Sequence, residues 1–186
     1  MKTTEQFDIV AGKCRRIYEL KMKDYGPSWR IMRPQTVNDQ LFIKAKRVRE
    51  IEQTGVNMVG ESIEGEMMAI VNYSIIGLIQ LFEGYADSVD MTAERAIDLY
   101  DHYMAEAKAL MLKKNHDYGD SFSKTFDALG IISAVTRISD KYNRLCSLAM
   151  ANGQHEVKDE SIEDTLLDMA NYCIMTYMEL KEREQN

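Results

Sequence analysis

The strongest constraint on the fold of this 186-residue chain is a pattern that its sequence contains twice. Residues 21–29 and 114–122 share an Asp-Tyr-Gly-x-Ser-aromatic core, which ends in Trp29 in the first copy and in Phe122 in the second. Two later blocks match in the same order, pairing Ile43, Lys46 and Arg49 with Ile138, Lys141 and Arg144, and residues 61–75 with residues 160–174. Ordered blocks at nearly constant separation rarely arise by chance, so the sequence predicts two diverged copies of one unit.

Apolar residues recur at three- and four-residue spacing through most of the chain, which is typical of amphipathic helices. The pattern predicts no strand and helices over residues 4–22, 37–53, 60–83, 92–116, 130–151 and 160–184. In each copy the glycine of the Asp-Tyr-Gly motif, Gly26 or Gly119, follows the first helix. We expect both glycines to adopt positive φ there, because a helix commonly ends on such a residue.

Each copy therefore reads as a three-helix unit, the first over residues 1–86 and the second over residues 87–186. A three-helix unit cannot hide its apolar faces well alone, so the two copies are expected to pack together. The predicted fold is all-α, a pseudo-twofold helical bundle that forms one compact unit.

The overall composition limits the partners of this chain. A formal charge of −7 and a pI near 5.1, with no basic stripe, would repel duplex nucleic acid. No apolar run approaches the 18 or so residues of a membrane span, and the N-terminus lacks the apolar segment of a secretory signal. We therefore expect a cytoplasmic protein without a membrane partner. An acidic chain stays compatible with a small anion that carries magnesium.

Acidic residues of the second copy predict a metal site. Glu160, Asp164 and Asp168 recur at intervals of four on the predicted last helix, which keeps them on one face. Asp140 lies on the preceding helix. Carboxylates that converge from two helices suit Mg²⁺, which takes oxygen ligands and activates water for phosphoryl chemistry. These four acids are the predicted catalytic and metal-binding residues.

Basic and polar residues nearby predict a substrate site. Arg137, Lys141 and Arg144 form one helical stripe that would bind phosphate oxygens. The Asp-Tyr-Gly segment of the second copy would close over the base or sugar of a nucleotide. The remaining predicted substrate-binding residues are Asp117, Tyr118, Ser121 and Asn171.

Two structural interpretations compete with the metal site. Ser161 and Asp164 fit a capping box, in which Asp164 would serve the start of the last helix. Asp140 and Asp168 would equally suit ion pairs with Arg144 or Lys141. In favour of the metal site, the first copy has lost all three acids together, since it carries Ala45, Gly65 and Ala69 where the second copy has Asp140, Asp164 and Asp168.

The second copy resembles a known family. It reads K-N-H-D-Y-G-D-S-F over residues 114–122, R-I-S-D-K-Y-N-R-L over 137–145 and E-S-I-E-D-T-L-L-D-M-A-N-Y over 160–172. These strings resemble the nucleotide modification associated domain 1 family of bacteria and phages over roughly residues 105–180, and the first copy looks like a diverged partner.

More remotely, acids on paired helices are similar to the all-α NTP pyrophosphohydrolases of the MazG and dimeric dUTPase type. In those enzymes four carboxylates from two helices bind magnesium, and a nucleoside triphosphate is cleaved to a monophosphate and pyrophosphate. Here the earlier E-x-x-E element is absent, and Asp140 alone occupies the corresponding helix. The resemblance implies a MazG-like bundle that assembles at least as a homodimer.

Two functional hypotheses lead, ahead of a third, a base-modifying accessory enzyme such as a transferase, for whose cosubstrate the sequence shows no site. The first is a nucleotide-binding, magnesium-dependent phosphohydrolase or pyrophosphohydrolase. The second is a nucleotide-binding or scaffold protein without catalysis, in which the same acids and bases form salt bridges between helices.

Overall fold

A computed structural model describes residues 3–58, 60–150 and 161–184, and within these ranges the chain is helical without a strand. The helices are α1 (Thr3–Tyr25), α2 (Pro34–Thr54), α3 (Ile63–Glu83), α4 (Ala93–Tyr118), α5 (Ser121–Leu129), α6 (Ile131–Met150) and α7 (Ile162–Glu184), with a short 3-10 helix at Ser28–Ile31. The predicted all-α class is confirmed.

One helix, α5, lies where the sequence predicted only a loop. It is nine residues long, too short to show a helical period, and it is bounded by two glycines with positive φ, Gly119 at 57° and Gly130 at 66°. Phe126 is buried, and α5 packs on α6 and α7. Burial of this apolar face stabilises a segment that is too short to be helical alone.

The predicted ends of the two Asp-Tyr-Gly helices are confirmed. Gly26 follows α1 with φ of 61°, and its amide donates to the carbonyl of Met22 at 2.9 Å. Gly119 follows α4 with φ of 57°. Only glycine adopts this conformation without a steric cost, so both helices stop at the same place in the motif.

The centre of the bundle is the contact between α3 and α7. These two helices pack on each other, and α2 packs on α3 while α6 packs on α7. Around this centre α2 also contacts α6, and α1 contacts α4. At the crossing, a Cβ added to Gly77 of α3 would lie 3.1 Å from Cδ1 of Leu166 in α7. The absence of a side chain at Gly77 therefore permits the close approach of the two central helices.

The same hydrogen bond occurs at two places in the bundle. Asn72 of α3 donates through Nδ2 to the carbonyl of Cys14 in α1 at 3.2 Å, and Asn171 of α7 donates to the carbonyl of Ala107 in α4 at 2.9 Å. Cys14 lies as far before the first Asp-Tyr-Gly motif as Ala107 lies before the second. Each bond fastens a central helix to the first helix of its own half of the chain.

Helix α3 is, by length and composition alone, apolar enough to cross a membrane. The segment contains no uninterrupted apolar run of that length, because polar residues such as Asn72 and Gln80 divide it. In the structure 67% of its most apolar window is buried inside the bundle. The central helix of a packed bundle passes the same test.

The contact at Gly77 yields a prediction for stability. We expect Gly77→Leu to lower the free energy of unfolding by about 1–3 kcal/mol, because the new side chain must displace Leu166 and overpack the centre. Chemical denaturation followed by circular dichroism measures this change.

The matched control is Gly12→Leu in α1, where an added Cβ meets nothing within 4 Å. That substitution should leave stability unchanged or raise it, because leucine favours a helix more than glycine does. Equal effects of the two substitutions would contradict a close approach at Gly77.

Candidate functional site

A cavity of about 350 Å³ lies between α4, α5, α6 and α7. It opens beside the second Asp-Tyr-Gly motif, and α4, α6 and α7 each contribute polar side chains to its wall. The lining residues are Met111, Lys114, Asn115, Tyr118, Gly119, Ser121, Phe122, Arg137, Lys141, Asp168, Asn171, Tyr172 and Met175. The volume is in the range of small-molecule sites.

Asp168 is the only carboxylate among the lining residues of this cavity. Its residue is 8% exposed, and its Oδ2 lies 2.9 Å from Nζ of Lys141, which α6 supplies. Its Oδ1 accepts from Nζ of Lys114 near the end of α4. Asp168 thus holds two ammonium groups from two helices at one point, and both of its oxygens are engaged.

Arg137 lies against two aromatic rings of the same cavity. Its Cζ is 5.1 Å from the ring centre of Phe122 and 5.9 Å from that of Tyr172. The two rings are stacked, 6.1 Å apart with an angle of 17° between their planes. Nη2 of Arg137 donates to Oγ1 of Thr125 at 3.3 Å. The rings attract the cation and fix the plane of the guanidinium.

The electrostatics of the cavity differ from those of the whole chain. The chain carries a formal charge of −7, but the cavity gathers Lys114, Arg137 and Lys141 around a single carboxylate. A partly enclosed site with excess positive charge attracts anions. The exposed ring of Tyr118, 71% accessible, stands at the mouth. The arrangement suits an anion attached to a flat ring.

The structure brings together six of the residues predicted from the sequence. They are Tyr118, Ser121, Arg137, Lys141, Asp168 and Asn171. Asp117 does not line the cavity; its side chain is exposed and lies 3.1 Å from Nδ1 of His116. Arg144 does not line it either, and its Nη2 lies 3.6 Å from Asp140.

Helix geometry explains why Asp140 lies outside the cavity. Adjacent residues of a helix point about 100° apart, so Lys141 and Asp140 cannot both face Asp168. Lys141 faces it, and Asp140 is 62% exposed on another side of α6. The pairing of Asp140 with Arg144 and of Asp168 with Lys141 is the ion-pair interpretation of these acids.

Asp164 serves the start of α7. Its amide donates to Oγ of Ser161 at 3.0 Å, while its Oδ2 accepts from Oγ of Ser161 at 2.6 Å and from the amide of Ser161 at 3.3 Å. This is the capping box that the sequence offered as an alternative. Asp164 is therefore committed to the helix end and not to the cavity.

The predicted magnesium ligands do not assemble in the part of the chain that the structure describes. Among those residues no group of three or more His, Cys, Asp or Glu side chains could hold a metal. Among the described predicted ligands, Asp168 alone lines the cavity, and each of its carboxylate oxygens lies on a lysine ammonium group. Glu160 lies outside the described residues. The described donors thus do not fit a magnesium site by themselves, and the predicted site stays a prediction.

A smaller cavity of about 100 Å³ is lined by first-half residues that the sequence pairs with lining residues of the large cavity. Lys21, Tyr25 and Ser28 line it at the positions that match Lys114, Tyr118 and Ser121. Ala69 stands where the second half has Asp168, and the buried ring of Trp29 stands where it has Phe122. The first half thus keeps the frame of the site and fills most of its space.

Seven lining residues were not predicted, and three of them, Lys114, Phe122 and Tyr172, contribute the charge and the stacked rings of the cavity. Lys114 opens the repeated motif and was not assigned a role, although its match with Lys21 was visible. Phe122 and Tyr172 were matched with Trp29 and Tyr73, but nothing in one sequence places their rings together. Their contact depends on α5, the helix that the sequence did not predict.

Comparison with known proteins gives one match. A family model described as nucleotide modification associated domain 1 matches residues 21–81 and again residues 114–180. The two segments together cover more than half of the chain, and the second contains every lining residue of the large cavity except Met111. No curated protein and no solved structure shows a significant match.

The ion pairs of Asp168 yield a prediction for stability. We expect Asp168→Asn to lower the free energy of unfolding by about 1.5–3 kcal/mol, because two ammonium groups lose their common anion. Thermal and urea denaturation without added metal measure the loss.

Asp140→Asn is the matched control, since Asp140 is largely exposed and pairs with Arg144 in the next turn of its own helix. Its effect should be close to zero. An unchanged or raised melting temperature for Asp168→Asn would favour an empty magnesium site in which like charges repel one another.

Proposed function

Since this chain belongs to the nucleotide modification associated domain 1 family, we propose that it binds a nucleotide in the cavity between α4, α5, α6 and α7. One observation carries the proposal. Three cationic side chains line the cavity, two of them joined by Asp168 and the third, Arg137, against a pair of stacked aromatic rings. A nucleotide combines the two chemical groups that such a wall recognises, a phosphate and a flat base.

The phosphate is assigned to Lys114, Arg137 and Lys141. Asp168 holds the two lysines in place before the ligand arrives, so fewer side chains have to be ordered on binding. One carboxylate does not neutralise three cations, and the remaining positive charge is available to phosphate oxygens. Arg137 adds the planar fork that suits two oxygens at once.

The base is assigned to the aromatic side of the cavity. Phe122 and Tyr172 are half-buried and already stacked, and Tyr118 at the mouth is free to cover a ligand from outside. Stacking of a base on an aromatic ring contributes about 1–3 kcal/mol in nucleic-acid-binding proteins. Ser121, beside these rings, offers a hydroxyl to the sugar or base.

A magnesium-dependent hydrolysis of the bound nucleotide is the second candidate. The observation in its favour is that a buried carboxylate, Asp168, shares the cavity with the proposed phosphate site. The described residues do not complete a metal site around it. Release of phosphate or pyrophosphate from nucleoside triphosphates, measured with and without magnesium, tests this candidate separately from binding.

We also infer that the two halves are copies of one unit related by a pseudo-twofold axis. Equivalent helices contact one another across the bundle, α3 with α7, α2 with α6 and α1 with α4. The bonds of Asn72 and Asn171 and the two cavities occupy matching positions. Similarity to MazG-type enzymes in packing, and assembly into a homodimer, stay predictions.

The proposal predicts nucleotide binding that depends on the cationic wall. In a thermal-shift and calorimetric screen of ribo- and deoxynucleoside mono-, di- and triphosphates, at least one class should raise the melting temperature, because a ligand of the folded state stabilises it. Lys114→Met should weaken that binding about tenfold, which corresponds to the loss of one charge-assisted hydrogen bond.

Lys21→Met is the matched control, because Lys21 occupies the equivalent position in the small, filled cavity of the first half. The Lys21→Met variant should bind the nucleotide with the affinity of the wild type. Absence of binding across the whole panel, with and without magnesium, would refute the proposal and favour a scaffold whose acids and bases form salt bridges.

A further inference from the structure

Two buried polar atoms beside the large cavity have no hydrogen-bond partner among the described residues. They are Oδ1 of Asn171, whose residue is 3% exposed, and Nη1 of Arg137. Both residues line the cavity. A buried acceptor or donor without a partner costs free energy, so each such atom in a folded protein requires an explanation.

The first half shows how the same amide is satisfied elsewhere. Asn72, which matches Asn171, donates through Nδ2 to the carbonyl of Cys14 and accepts through Oδ1 from the hydroxyl of Tyr100 at 2.7 Å. Tyr100 is fully buried and stacks on Tyr18 with 4.3 Å between ring centres. Burial raises the pKa of Tyr100, so its hydroxyl keeps the proton that it donates.

The sequence shows why Asn171 has no matching hydroxyl. The residue that matches Tyr100 is Phe7, which lies as far before Cys14 as Tyr100 lies before Ala107. Phe7 is fully buried but has no polar atom on its side chain. By the same alignment Met111 takes the place of Tyr18. The donor that completes Asn72 therefore has no counterpart for Asn171.

We propose that the bound nucleotide supplies this missing donor, and that Asn171 is a specificity-determining residue of the site. The inference rests on the proposed function. Because Nδ2 of Asn171 is committed to the carbonyl of Ala107, the amide cannot turn over, and Oδ1 can only accept. The ligand group that it selects is therefore an N–H of the base or a hydroxyl of the sugar.

The surroundings of Asn171 allow a ligand to reach it. Its Oδ1 is shielded from solvent, so a ligand donor must displace part of the cavity wall. Met111 and Met175 are among the lining residues, and unbranched methionine side chains rearrange at small cost. Nη1 of Arg137 is a second unpartnered atom in the lining of the same cavity, and it offers a donor to the phosphate of the same ligand.

The test introduces the missing hydroxyl. Phe7→Tyr places a phenol at the position that Tyr100 holds in the other half, where it can donate to Oδ1 of Asn171. We expect an unchanged or higher melting temperature without ligand, and an affinity for the nucleotide found in the screen that falls about tenfold, because the acceptor is already occupied.

Tyr100→Phe is the matched control. It removes the donor from Asn72 in the first half, so the melting temperature should fall while the nucleotide affinity stays at the wild-type value. Asn171→Ala, compared with Asn72→Ala, provides the second variant pair. Asn171→Ala should lose at least tenfold in affinity, and Asn72→Ala should retain it.

The outcomes separate the inference from the proposed function. If wild-type protein binds no nucleotide, the proposed function fails. If it binds and Phe7→Tyr keeps full affinity at an unchanged or higher melting temperature, the inference is overturned. If Phe7→Tyr is destabilised, the hydroxyl has not found its partner, and Asn171→Ala decides: retained affinity overturns the inference and lost affinity supports it.

The source of the donor is found with truncated ligands. Ribose 5-phosphate carries the sugar hydroxyls without a base, and a 2′-deoxynucleotide carries the base without the 2′-hydroxyl. If the sugar supplies the donor, Phe7→Tyr should weaken the binding of ribose 5-phosphate as strongly as the binding of the nucleotide. A base donor predicts that only the intact nucleotides are affected.

Discussion

The close contact of α3 with α7 is the constraint on which the rest of this structure depends. Each of these helices is buried on most of its surface, so each must be surrounded by other helices, and the remaining helices fill those positions. The close approach at Gly77 and Leu166 sets how near the two halves come. Because α7 also carries Asp168, Asn171 and Tyr172, the packing that forms the core positions one wall of the cavity at the same time.

The two halves show how one backbone frame supports different chemistry. Both end α1 or α4 at a glycine, both hold a central asparagine to a backbone carbonyl, and both leave space beside the motif. In the first half the rings of Tyr18 and Trp29 narrow that space, and the hydroxyl of Tyr100 satisfies the amide oxygen of Asn72. In the second half smaller or charged side chains leave it open, and under our proposal a ligand satisfies the amide oxygen of Asn171.

The sequence predicted the fold better than the site because the two depend on different information. Helical periodicity is repeated over many residues, so the long helices were predicted. The second helix was predicted over residues 37–53, but α2 begins at Pro34, because proline fits the first turn of a helix. A short helix such as α5 has no such repetition. For the site, Arg137 and Lys141 were predicted on one helical face, and both line the cavity. Asp164 was predicted as a metal ligand, but its side chain caps the start of its own helix. The family resemblance pointed to a nucleotide before any geometry was known, and the cations and stacked rings of the cavity support that proposal.

The side-chain amides of Asn72 and Asn171 differ in hydrogen bonding, and this difference should affect local unfolding around each of them. A central helix whose buried amide is fully satisfied beside a small cavity resists local unfolding there, whereas one whose amide oxygen lacks a donor beside a larger cavity resists it less. Amide hydrogen exchange in the unliganded protein is therefore expected to be faster around Asn171 than around Asn72. If the proposed ligand binds, it should slow exchange around Asn171 and leave exchange around Asn72 unchanged, because it would remove conformational freedom only where it supplies the missing donor.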